Sequence, residues 1–113
     1  MPDADAVVTL TEDNFRAEVL ENSQLVLVDF WAEWCMPCRA FSRILEDLAE
    51  ELAGTVKVGK LNIDEYPAIA TQYKVRSIPT VLVFQNGELI DTIVGAVPKS
   101  ILKRKVATLA AAP

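Results

Sequence analysis

The sequence predicts an α/β fold with a central mixed β-sheet, and three observations predict it. Runs of β-branched and apolar residues alternate with stretches of helical periodicity, the pattern of strands joined by crossover helices. Near the C-terminus, "TVLVFQNGELIDTIVG" places two such runs on either side of Asn86-Gly87, a dipeptide suited to the positive φ angles of a two-residue hairpin. The chain of 113 residues is 51% hydrophobic and 24% charged, enough apolar material for one core and too much for a disordered chain. A single domain spanning residues 1–113 is expected, with about five strands flanked by about four helices.

"AVVTL" at 6–10 reads as a first edge strand. In "TEDNFRAEVLE", Thr11 is placed to cap a first helix, and Phe15, Val19 and Leu20 share one face. "QLVLVDFWA" at 24–32 is apolar at nearly every position, as a central strand covered on both faces must be. A second helix opens at Cys35 and Cys38 and continues with Phe41, Ile44, Leu45, Leu48 and Leu52 at helical spacing, with Gly54 placed to end it. "TVKVGKLNI" at 55–63 alternates as a strand, and "DEYPAIATQYK" gives a short helix with Asp64 at or near its N-terminus. After the hairpin, "PKSILKRKVATLA" closes as an amphipathic helix starting near Pro98.

Net charge is −5 without a long basic run, so nothing recruits a phosphate backbone and no nucleic-acid partner is expected. The longest apolar run, "LVLV" at 25–28, is too short to cross a bilayer, and "MPDADAVVTL" lacks the pattern of a secretory signal. A soluble protein of the cytoplasm is expected, or of a reducing organelle lumen or stroma if a leader has been removed. The chain has no histidine, which excludes a His general base, a Ser-His-Asp triad and a His-ligated metal.

Chemistry then falls to Cys35 and Cys38, the only cysteines, both within "WAEWCMPCRAF". A structural zinc site wants four Cys or His ligands and this chain offers two, so no metal is expected. A structural staple over so short a loop removes little unfolded-state entropy. Neither explains the placement. Cys35 follows a strand and starts a helix, where unsatisfied N–H groups and the helix dipole favour a thiolate. Cys38 lies on the same helix face, within reach of it. The first sulfur is expected to be exposed by its terminal position and the second carried toward the body of the domain, giving one attacking and one resolving thiol.

The segments "LVDFWAEWC", "VGKLNID", "RSIPT", "FQNGE" and "VGA", in this order, resemble the thioredoxin family across nearly the whole chain, with Trp-Cys-Met-Pro-Cys in place of the usual Trp-Cys-Gly-Pro-Cys. The resemblance implies the thioredoxin fold and a thiol-disulfide oxidoreductase that reduces protein disulfides. It implies that Cys35 attacks a substrate disulfide and that Cys38 resolves the mixed disulfide. It also implies a separate thioredoxin reductase, NADPH- or ferredoxin-dependent, that restores the dithiol. No cofactor of its own is implied, and a monomer is the default. Two other readings stay open: a disulfide oxidant or isomerase with a raised potential, and a redox-indifferent subunit that holds a partner on the Trp34–Ile78–Gly95 surface.

Asp29 lies inside a run expected to be buried, where an unpaired carboxylate is costly. It is either a strand-end residue in solvent or, as the resemblance implies, a buried acid that exchanges a proton with Cys38. Lys60 alone reads as a surface lysine; the resemblance makes it the partner of Asp29. Pro79 alone reads as a trans proline at a strand start. The resemblance implies instead a cis Ile78–Pro79 bond facing the cysteines, with the preceding backbone free to pair with an extended substrate segment. Arg76 and Ser77 read equally as solvated loop residues and as the border of that groove.

By resemblance Trp31 packs beneath the site and Trp34 offers partners an apolar lip. Gly95 is either a strand-end glycine or a flat spot where substrate backbone approaches. Met36 and Pro37, between the cysteines, complete the docking edge. Met36 restricts the backbone where the family has glycine and adds an adaptable thioether, so the potential and partner choice are expected to shift while the chemistry stays. Arg43 stands where many relatives have a kinking proline, so this helix can continue without losing a hydrogen bond.

Overall fold

The computed structural model describes residues 6–111. Its strands are β1 (Val7–Thr9), β2 (Leu25–Trp31), β3 (Val56–Asn62), β4 (Thr80–Gln85) and β5 (Glu88–Val94), and its α-helices are α1 (Met36–Glu51), α2 (Pro67–Gln72) and α3 (Lys99–Ala111). The strands form one mixed sheet in the order β1-β3-β2-β4-β5. β3 is parallel to β1 and β2, whereas β4 is antiparallel to β2 and β5.

The alternation of β2 divides the interior. Leu25 and Leu27 join Phe41, Leu45 and Leu48 of α1 and Leu102 and Val106 of α3 in one core. Val26, Val28 and Phe30 join Phe15, Val19, Ile69 and Phe84 in the other. Successive strand residues point to opposite faces, so Asp29 and Trp31 share the α1 face with Leu25 and Leu27. Val56 and Val58 belong to that face too, which carries Lys60 there. The polar end of the α1 face is therefore fixed by strand parity alone. Close packing constrains the neighbouring layer: a Cβ on Gly59 of β3 would sit 2.6 Å from Leu10 Cδ1.

The hairpin forms as the sequence predicts, with Asn86 at φ 52° and Gly87 at φ 80° joining β4 to β5. A bulge between Val83 and Phe84 shifts their register. β1 and the order of the remaining elements also follow the expectation.

One expectation needs correction. The first helix is a π-helical segment, Arg16–Leu20, with Glu21 N–H donating to Arg16 O at 2.9 Å. Thr11 does cap its entry: its Oγ1 accepts from Asn14 N–H while Asn14 Oδ1 accepts from Thr11 N–H, a reciprocal box. The segment ends against the hairpin tip, where a Cβ on Gly87 would lie 2.6 Å from Leu20 O. Asp64 lies near the N-terminus of α2, as expected, but ahead of its N-cap, Tyr66. Asn62 Oδ1 accepts from the N–H of Asp64 and Glu65, holding a turn that delays the helix until Pro67 supplies its fixed φ.

Candidate active site

β2 runs out at Trp31, and four residues later the chain enters α1. Cys35 is the N-cap of that helix, in an extended conformation, and Pro37 occupies its first turn. The Cys38 N–H donates to Cys35 Sγ at 3.2 Å, so the cap is the sulfur itself. A negative charge on that sulfur would meet an oriented N–H and the positive end of a 16-residue helix. Cys35 and Cys38 are joined as a disulfide with their Cα atoms 5.2 Å apart.

The expected contrast in exposure is not present in this disulfide form. Cys35 is 4% exposed and Cys38 1%, so both sulfur-bearing residues are buried. What lies outside is the rim: Trp34 is 66% exposed and Met36 72%, with Pro37 exposed beside them. α1 passes through Arg43 as one uninterrupted helix.

Behind the cysteines, Asp29 of β2 stands in register with Lys60 of β3. Asp29 is 2% exposed, and its Oδ1 has no hydrogen-bond partner among the described residues. Burial pushes its carboxyl up to about 7, against the pull of the Lys60 charge. The strand-end alternative for Asp29 is excluded by that burial. Lys60 is half-buried, with Nζ 5.1 Å from the Trp31 ring centroid. A pocket of about 200 Å³ brings Trp31, Lys60 and Cys38 to a common wall with Arg39 and Arg43.

On the other side of the rim, the Ile78–Pro79 peptide bond is cis and Pro79 is buried. Gly95 N–H donates to Pro79 O at 2.9 Å, which holds the end of β5 beside the proline. Gly95 has φ 93°, a backbone that requires glycine, and the space where a Cβ would stand is open. A groove of about 230 Å³ is lined by Trp34, Arg76, Ser77 and Ile78. Ile63 and Val75 also line it, residues for which the sequence suggests no site role. Asp64 was likewise missed: its Oδ2 accepts from Trp34 Nε1 at 2.9 Å, fixing the exposed indole.

The arrangement supplies a reversible sulfur couple, a buried acid with a lysine neighbour, and an apolar rim open to macromolecules. The Thioredoxin family model matches residues 6–108. The chain is 50% identical over 97 residues to a thioredoxin of Pyropia yezoensis, covering 86% of this chain and 91% of that one. It is 50% identical over 93 residues to thioredoxin 1 of Synechococcus elongatus, covering 82% and 87%. With the M-type, chloroplastic thioredoxin of Spinacia oleracea it shares 51% identity over 96 residues, 85% of this chain and 53% of that one. Dithiol–disulfide exchange through the Cys35–Cys38 pair, reducing protein disulfides, displaces both the oxidant reading and the redox-indifferent one. From fold, couple and relatives alike, the chain belongs to the thioredoxin family.

Proposed function

We propose that residues 1–113 act as one thioredoxin-like unit and a monomer, with Cys35 as the attacking thiol and Cys38 as the resolving one. The Cys35 thiolate attacks one sulfur of a substrate disulfide; the new S–S bond forms as the substrate bond breaks, and the departing thiolate takes a proton. Cys38 then loses its proton and attacks Cys35 Sγ, releasing the second substrate thiol and leaving the Cys35–Cys38 disulfide. Asp29, as the carboxylate, receives the Cys38 proton and becomes the neutral acid; Lys60 steadies the carboxylate before that transfer. Trp31 supports this pair from beneath. Trp34, Met36, Pro37, Arg76, Ser77, Ile78, Pro79 and Gly95 form the surface on which the substrate lies.

The observation that carries the reading is the bond from Cys38 N–H to Cys35 Sγ at the head of α1, which favours Cys35 as the thiolate. Electrons return from a separate thioredoxin reductase, NADPH- or ferredoxin-dependent, and the working compartment is a reducing one, the cytoplasm or an organelle lumen or stroma. Incubating the protein with each reductase in turn assigns the donor. Insulin reduction tests the roles of the cysteines. Cys35→Ser is expected to lose activity entirely, and Cys38→Ser to accumulate a mixed disulfide visible as a covalent adduct. A mixed disulfide that accumulates on Cys38 in the Cys35→Ser protein, with none in Cys38→Ser, would reverse the assignment.

A further inference from the structure

Arg76 and Ser77 line two depressions. One is the groove beside Trp34 and Ile78; the other, of about 160 Å³, lies between the end of α2 and the end of β5, with Tyr73, Lys74, Thr92 and Val94 in its wall. The second is continuous with the substrate surface through those shared residues. No acidic residue lines either one. Lys74 and Arg76 are exposed, and neither makes an ion pair among the described residues, in a chain whose net charge is −5.

Lys74 is also held in a costly backbone. It has φ 57° and sits just past the end of α2, where its N–H donates to Thr71 O and the Val75 N–H donates to Ala70 O. That pair of bonds is the helix-ending motif whose left-handed position is usually glycine. A lysine there gives up backbone ease and places a long cation at the mouth of the depression.

From this we infer that the depression between Lys74 and Val94 is a specificity subsite for an acidic residue flanking the substrate's disulfide. Val94, 63% exposed, gives the substrate stem an apolar floor, and the two cations meet its carboxylate. The chain's net charge of −5 disfavours such a segment overall, so this cationic depression without an acidic wall favours one direction in which the substrate lies. The inference rests on reading Arg76 and Ser77 as part of the substrate surface.

The test uses two quenched fluorescent peptides of equal length, each with one disulfide, flanked by Glu in one and Lys in the other. Single-turnover rates are taken with pre-reduced protein, which keeps any reductase out of the comparison. At low ionic strength the Glu peptide is expected to react about tenfold faster, from about threefold for each cation, and the preference is expected to shrink in high salt. Lys74→Gly and Arg76→Ala should each reduce the ratio about threefold. Lys74→Gly fits the φ and keeps the fold, so its loss reports the charge. Arg104→Ala, the same charge change on α3, should leave the ratio alone. Equal rates for the two peptides, or a ratio that falls as far in Arg104→Ala, would overturn the subsite. If Arg76→Ala slows both peptides equally, the substrate surface stands and the acidic preference falls. If neither variant alters either rate, the surface reading falls with it.

Discussion

Asp29 in β2 and Glu51 at the last turn of α1 are both carboxylates with lysine neighbours, yet they are driven in opposite directions. Asp29 is pushed up to about 7 by burial, with Lys60 pulling the other way. Glu51 is held below its ordinary value by hydrogen bonds from Lys99 and Lys103 of α3. Side-chain partners are similar; solvent is not. In the sheet interior the cost of stripping water from a charge outweighs the lysine, while at the surface that cost nearly vanishes and the lysines prevail. The first arrangement makes a proton donor and acceptor useful near neutrality. The second joins two helices and does no chemistry.

Replacing Asp29 probes the larger half of that contrast. The folded protein holds the Asp29 proton up to about pH 7, whereas the unfolded chain releases it near 3.8. Between those values the folded state binds more protons, so stability falls as pH rises through the window and stays low above it. A gap of about three units corresponds to about 4 kcal/mol. Asp29→Asn is therefore expected to be more stable than the parent at pH 8 by up to about that amount. The two should converge toward pH 4, in urea unfolding of the disulfide form. Its resolving step should be slower by about tenfold or more. Parallel stability profiles in parent and variant would show that Asp29 does not titrate in this window.

Lys60 sets how far the burial is offset. Lys60→Met keeps an apolar stem against Trp31 and removes the charge, so the Asp29 carboxyl is expected to rise further, by about one unit. The protonated-carboxyl band in infrared difference spectra gives the midpoint directly. An unmoved midpoint would mean that register places the two side by side without coupling them.

Much of this contrast was legible in the sequence, for a reason that applies only to the interior. An aspartate within "LVLVDFWA" stands out because a buried strand has no use for a charge. Strand parity then places Asp29, Trp31 and Lys60 on one face, and the helix start after β2 places the cysteines over it. Surface relations leave no such mark. Nothing about Glu51 in "LAEELAG" names Lys99 and Lys103 as its partners, since they meet only once α3 docks on α1. The sequence places Asp64 only at or near a helix start; Asn62 takes the turn there and leaves Asp64 for the Trp34 indole. The π-helical segment is invisible in the sequence as well: Phe15, Val19 and Leu20 fit α and π spacing about equally, and the segment ends close against the hairpin tip. Cys35 departs from the expectation for a different reason: a helix-start position does not by itself expose a side chain, and here the residue is buried.

The Glu51 cluster should yield the smallest effect, and its sign is opposite to that of Asp29. A carboxyl held low in the folded state contributes stability above its unfolded value and loses it as pH falls through the folded one. Glu51 and both lysines are solvent-exposed, so screening by ions competes with each contact. Glu51→Gln is accordingly expected to shift the thermal midpoint at pH 7 by no more than about 2 °C, and to lose even that in 1 M salt. Asp29→Asn at the same salt should keep nearly all of its gain, because desolvation is not screened. Salt thus separates the two carboxylates where pH alone would show only two slopes. If both variants responded to salt alike, the gain at Asp29 would come from a screened charge interaction rather than from burial, and the proton chemistry assigned to it would lose its physical basis.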